Sequence, residues 1–215
     1  MKKYVNLFVF VFMVGACFSQ GKAQTKSAVS YKNPVVDIAM PDPTVIKAAD
    51  GYFYMYATES TRNVPIMKSK DLVQWTYCNT AFTNKTRPRF EPKAGIWAPD
   101  INYINNKYVL YYAMSVWGGE QTCGIGVATA DSPQGPFTDH GKMFRSNEIG
   151  VQNSIDPSFL QYEGRNYLVW GSFRGIYVIE LTEDGLSLKP GAEKKRIAGT
   201  AFEAAYIHKI GRAHV

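Results

Sequence analysis

Four acidic residues recur along the sequence at a nearly even interval: Asp42, Asp100, Asp156 and Glu203 are separated by 58, 56 and 47 residues. Each stands near the head of a similar stretch: "PDPTVIKAADGYFYMYATES" from Pro41, "PDINYINNKYVLYYAMSVWGG" from Pro99, "IDPSFLQYEGRNYLVWGS" from Ile155 and "FEAAYIHK" from Phe202. Taken singly, each aspartate reads as a turn residue, because Asp and Pro are common where strands begin. Brought together, they read differently. Carboxylates gathered in one place repel and raise one another's pKa, so a purely structural role disfavours collecting them. Such a cluster suits hydrolysis of a glycosidic bond, in which a protonated acid donates to the leaving oxygen and an ionised one activates water.

The elements that would gather them are strands. Helical periodicity is hard to find, whereas short apolar or alternating runs separated by Gly, Asn and Asp occur throughout. Each acid is followed by a short strand, a polar turn and a Tyr-rich apolar strand. A third strand, a turn and a fourth strand then follow in "VPIMKSKDLVQWTY", "CGIGVATADSPQGPFTDHG" and "RGIYVIELTEDGLSLKPG". Four antiparallel strands repeating about every fifty residues describe a β-propeller blade. The innermost strand of each blade lines the central channel, which would carry the four acids to one axis. "EAAYIHK" reads as the first strand of a fourth unit. Trp97, Trp117, Trp170, Phe173 and Tyr206 lie beside the acids or at hairpin ends. Their flat faces suit stacking on sugar rings, and equally suit strand cores.

The termini bear on charge and compartment. Residues 1–23 combine Lys2 and Lys3 with an apolar run from Val5 to Cys17, as a secretory leader does. Cleavage after Ala23 and a lipoprotein signal ending before Cys17 both fit, so export is expected, with a membrane tether only through a lipid on Cys17. The last residues, "IGRAHV", are expected to be a non-native tail over 210–215 that interrupts the fourth unit, leaving a catalytic domain over 24–209. The whole sequence carries 24 Lys and Arg against 18 Asp and Glu. Without Lys2, Lys3, Lys22 and Arg212 the excess falls to two, so its basicity is no argument for nucleic acid. Cys78 and Cys123 show no disulfide framework, and there is no zinc spacing.

In order and spacing, "PDPTVI", "WAPDI", "SPQGPFTDHG", "SIDPSF" and "FEAAYI" resemble glycoside hydrolase family 43, five-bladed propellers that cleave arabinose- and xylose-containing polysaccharides with inversion. The resemblance runs from about Pro41 to Lys209. It implies an all-β, five-bladed β-propeller of which about three and a half blades are present. Asp42 is then the general base, Asp156 the carboxylate that orients the general acid and tunes its pKa, and Glu203 the general acid. Trp97, Asn153, Ser172 and Phe173 beside these landmarks are the expected substrate contacts, and Asp100, which belongs to "WAPD" but is not one of the family's three catalytic acids, is read as structural or as a substrate contact at the rim. "WAPDINYINNKYVLYYAMS", "GIGVATADSPQGPF" and "GSFRGIYVIEL" are most similar to endo-acting α-1,5-L-arabinanases. Ala205 departs from the proline often found after "EA". The resemblance implies no cofactor for the chemistry, and a structural calcium near a histidine in later blades.

Two other classes remain: an exo-acting arabinofuranosidase or β-xylosidase of the same family, and a carbohydrate-binding propeller without catalysis. Sucrose- and fructan-cleaving propellers show "NDPNG", "RDP" and "EC" where this chain has "PDPTV", "SIDP" and "FEA". A binder or scaffold would not need three acids at the axis.

Overall fold

The computed structural model describes residues 30–211 together with 213–214. The expected leader and the Cys17 lipid site lie outside the described residues. From Lys32 onward the chain is one unit, built almost wholly of antiparallel strands. The first sheet comprises β1 (Thr44–Lys47), β2 (Phe53–Tyr56), β3 (Pro65–Ser69) and β4 (Trp75–Thr80). The second comprises β5 (Gly95–Ile104), β6 (Lys107–Ser115), β7 (Gly124–Ala130) and β8 (Thr138–Arg145). A single turn of helix, α1 (Ser146–Ile149), precedes the third, made of β9 (Ser158–Tyr162), β10 (Arg165–Trp170), β11 (Ile176–Glu180) and β12 (Lys195–Ala198). In each sheet the strands are ordered as they occur in the chain, which makes three four-stranded meanders.

Turn chemistry sets the register. Asn105 and Asn106 both have positive φ and close β5 onto β6 as a two-residue hairpin that pairs Ile104 with Lys107. Glu163 and Gly164 do the same between β9 and β10, pairing Tyr162 with Arg165. Two-residue loops with positive φ match the right-handed twist of the flanking strands.

Each sheet packs face to face on the next. β6 shows how, because its run "YVLYYAM" is buried along its whole length. Its side chains alternate between two cores. Tyr108, Leu110, Tyr112 and Met114 join Tyr54, Tyr56 and Ile66 of the first sheet and Phe82 just beyond it, whereas Val109 and Tyr111 join Leu168, Trp170 and Ile179 of the third. A strand apolar on both faces is a strand with a sheet on either side, which is the arrangement of adjacent propeller blades.

Three expectations are corrected. The fourth strand of the third sheet is Lys195–Ala198, not "LSLKPG": Leu188 makes only an isolated bridge to Leu181 before Pro190 and Gly191 break the run. "EAAYIHK" does not form a strand. Among the described residues no second strand lies beside 204–208, and pairing resumes only in β13 (Lys209–Ile210) and β14 (Ala213–His214). Asp42 and Asp156 stand two residues ahead of β1 and β9 rather than on them, so they form the lip of the channel, not its wall.

Candidate active site

Backbone conformation fixes the true repeat position. Asp42, Ala98, Asp156 and Ala204 have φ of 49°, 39°, 58° and 50°, and the first three each precede a proline. Positive φ is unfavourable for these residue types, so its recurrence marks equivalent points in successive units. Asp100 is therefore not the counterpart of Asp42 and Asp156. Ala98 is, and Asp100 corresponds to Thr44 and Ser158 on the innermost strands. Glu203 falls one residue before Ala204.

Asp42, Asp156 and Glu203 nonetheless converge. Asp42 and Asp156 line one cavity of about 470 Å³, with Ala98, Asp100, Ala204 and Tyr206 around them. Burial pushes the Asp156 carboxyl up to about 7, reinforced by the negative charges of Glu203 and then Asp42 and opposed by the Ala204 N–H that it accepts. Glu203 lines the adjoining cavity of about 370 Å³, with Trp97, Trp117, Asn153, Ser172 and Phe173. Asp156 and Glu203 thus sit where a carboxyl-lined cavity meets an aromatic one.

Hydroxyl groups at the ends of the second strands hold the lip in place. Thr58 Oγ1 donates to Asp42 Oδ2 at 2.6 Å and accepts the N–H of Ala98, on the next blade, at 2.7 Å. Ser172 Oγ donates to Glu203 Oε2 at 3.2 Å, and Asn153 Nδ2 donates to the Ser172 carbonyl at 3.0 Å. The Phe173 N–H donates to the Phe202 carbonyl, which ties the Glu203 segment to the third blade. Gly171 makes this tight exit feasible: its φ is 129°, and a Cβ there would lie 2.2 Å from the Gly175 carbonyl oxygen. The role of Thr58 was not read from the sequence. The available signal was a hydroxyl residue closing each hairpin, in "YAT", "YAMS" and "VWGS".

The remaining candidates separate by burial. Asp100 is buried, accepting the N–H of Phe159 at 2.7 Å, the Asn102 side chain at 2.8 Å and the Thr44 hydroxyl at 3.4 Å. It joins the innermost strands of three blades, and burial raises its carboxyl to about 6 against those hydrogen bonds. That engagement makes it a strut beneath the cavity rather than a sugar contact at its rim. Trp170 is fully buried against Phe144 and Tyr177 and donates Nε1–H to Ser154 Oγ, so it is a core residue with no face for a sugar. Trp117 is 95% exposed and tilted against half-buried Trp97, and Phe173 and Tyr206 are exposed beside the acids. Among the described residues no group of three or more His, Cys, Asp or Glu is placed to hold a metal ion.

This geometry agrees with what the chain resembles. The model of "Glycosyl hydrolases family 43" matches residues 31–212. The extracellular endo-α-(1→5)-L-arabinanase 1 of Bacillus subtilis is 36% identical over 177 residues, covering 76% of this chain and 54% of that protein. A probable arabinan endo-1,5-α-L-arabinosidase C of Aspergillus niger is 30% identical over 178 residues, covering 79% and 55%. Among solved structures, native Bacillus subtilis arabinanase Arb43A superposes with a TM-score of 0.70 at 30% identity, covering 81% of this chain and 64% of that one. An exo-1,5-α-L-arabinanase from a bovine ruminal metagenomic library gives 0.70 at 29%, covering 86% and 66%. The chain spans about half the length of the curated relatives it matches. The three sheets are consecutive blades of their propeller, and the chain belongs to glycoside hydrolase family 43.

Proposed function

We propose that the protein is part of a hydrolase that cleaves α-1,5-linked L-arabinan, internally along the chain and with inversion. The observation that carries this reading is the meeting of Asp42, Asp156 and Glu203 at one lip, beside an open cavity walled by Trp97, Trp117 and Phe173. A binder needs the aromatic wall. It has no use for three crowded carboxylates that raise the pKa of one of their number.

In this mechanism Asp42 is the base. Its carboxylate is exposed, oriented by the Thr58 hydroxyl, and placed to take a proton from water attacking the anomeric carbon. Glu203 donates to the leaving oxygen. Asp156 orients this acid: its own carboxyl is raised to about 7 by burial and then by the neighbouring charge of Glu203. Substrate over Trp97 and Phe173 would set the leaving oxygen beside Glu203. A base and a donor set apart by room for a water are what inversion requires. Donor, base and water suffice for the chemistry, so no cofactor enters it. The chain is exported, as its relative in Bacillus subtilis is named extracellular; whether Cys17 carries a lipid is readable from the mass of the mature N-terminus.

The test is product analysis on linear arabinan by proton NMR. A mixture of short oligosaccharides with inverted anomeric configuration supports the reading. Arabinose alone from the first minutes would indicate exo action, and retained configuration would refute the assigned roles.

A further inference from the structure

The loop from Thr83 to Ala94, between the first and second blades, carries a second concave site that the proposed chemistry does not use. It encloses about 380 Å³, and its wall includes Arg62, Arg87, Arg89, Glu91 and Lys93. Two of these charges are already spent. Arg87 is buried against Glu59, and Glu91 is paired with Arg145. Arg62, Arg89 and Lys93 are exposed and meet no acid among the described residues.

Two of the three are held side by side by one neutral residue. Arg62 Nε donates to Asn84 Oδ1 at 3.1 Å, and Arg89 Nη2 donates to the Asn84 carbonyl at 2.9 Å. Like charges fixed together without a counter-charge repel, and an anion between them would relieve that repulsion. The guanidinium fork matches a planar carboxylate and can bind it through two parallel hydrogen bonds. Pro88, Pro92 and Met114 give the cavity an apolar floor, which suits the C–H face of a sugar ring better than a small hydrated ion.

Its position completes the reasoning. Ala94 and Met114 line this cavity, while Trp97 and Ser115 line the aromatic cavity beside Glu203. Gly95 pairs with Ser115 and Ile96 with Met114, so the two cavities lie on either side of one pair of strand ends. Glu59 binds the Ile96 backbone in both directions, coupling the basic site to the segment that carries Trp97. We propose that this cavity binds the carboxylate of a uronic acid residue, so that the protein grips an acidic stretch of polysaccharide next to the neutral stretch held in its cleft. The inference rests on the polysaccharide reading of the cleft.

Calorimetric titration of the intact chain with an oligogalacturonate tests it, with the fully methyl-esterified oligomer and sodium sulfate as controls. The acidic oligomer should bind, the ester should not, and added salt should weaken binding several-fold by screening exposed charges. The triple change Arg62→Gln, Arg89→Gln and Lys93→Gln should weaken binding by at least about tenfold, Arg89→Gln alone should weaken it less, and neither should alter the rate on neutral arabinan. No binding of the oligouronate, unchanged binding by the triple variant, or sulfate binding as tightly (an adventitious ion only) would each overturn the proposal. A protein that binds oligouronate in this pattern yet, with the rest of its propeller present, leaves arabinan uncut would refute the hydrolase reading alone. One that cuts arabinan but ignores oligouronate would refute this inference alone.

Discussion

Replacing Asp156 by Asn should stabilise the protein at pH 8 and leave its stability unchanged at pH 4. The native carboxyl titrates at about 7, raised by burial and by Glu203 and Asp42, whereas an unfolded aspartate titrates near its ordinary 3.8. The sign follows from proton counting. Between these two values the folded state holds a proton that the unfolded state has released, so native stability falls as pH rises from about 4 to about 7 and is flat above. A difference of roughly three pKa units corresponds to about 4 kcal/mol, and about 2–4 kcal/mol is expected because the carboxyl is partly open to water. Asn cannot ionise but keeps an oxygen for the Ala204 N–H, so it removes the charge without removing the hydrogen bond. Urea unfolding at both pH values reads the effect directly, and the Tm at pH 8 should rise by about 4–16 °C. A gain of equal size at pH 4 and pH 8, or a loss at pH 8, would refute the idea that carboxylate crowding strains this lip.

Glu203→Gln and Asp42→Asn should each lower kcat on arabinan by at least about 10²-fold. On an aryl arabinofuranoside with a good leaving group, Glu203→Gln should recover part of its rate and Asp42→Asn should not; the opposite pattern would exchange their roles. Trp170→Ala, in the core between the second and third blades, should cost about 3–5 kcal/mol in urea unfolding. Trp117→Ala, almost fully exposed, should stay within about 0.5 kcal/mol of the parent while raising KM for arabino-oligosaccharides. Gly171→Ala should lower both the Tm and kcat, because the clash with the Gly175 carbonyl displaces Ser172 and with it the hydrogen bond to Glu203.

The blades were legible because their signals are local. Alternation, Asn-Asn and Glu-Gly turns and Tyr-rich second strands lie within twenty residues of one another, and the structure places hairpins on all of them. Asp100 misled because "PD" in "WAPD" looks like "PD" in "MPDP" by letter, whereas a two-residue offset along the strand separates a lip position from a buried one. Trp170 stayed open between core and sugar contact because burial is decided by a partner sheet whose approach no short window records. "EAAYIHK" has strand composition, yet a strand is realised only where another backbone lies alongside it. The contacts that orient the acids, Thr58 to Asp42 and Ala204 to Asp156, join segments 16 and 48 residues apart and have no sequence signature of their own.

The hydrogen bonds of Thr58 have a consequence for recombination. Its hydroxyl group touches Asp42 of one blade and the backbone of the next, so the site belongs to the seam between blades more than to either blade. Chimeras of this protein with a relative should therefore tolerate an exchange point in the two-residue β5–β6 turn at Asn105 and Asn106, which leaves Asp42, Thr58 and Ala98 on one side of the junction. Exchange points between Thr58 and Ala98 that unite seams of different ancestry should give folded propellers whose catalytic lip is out of true.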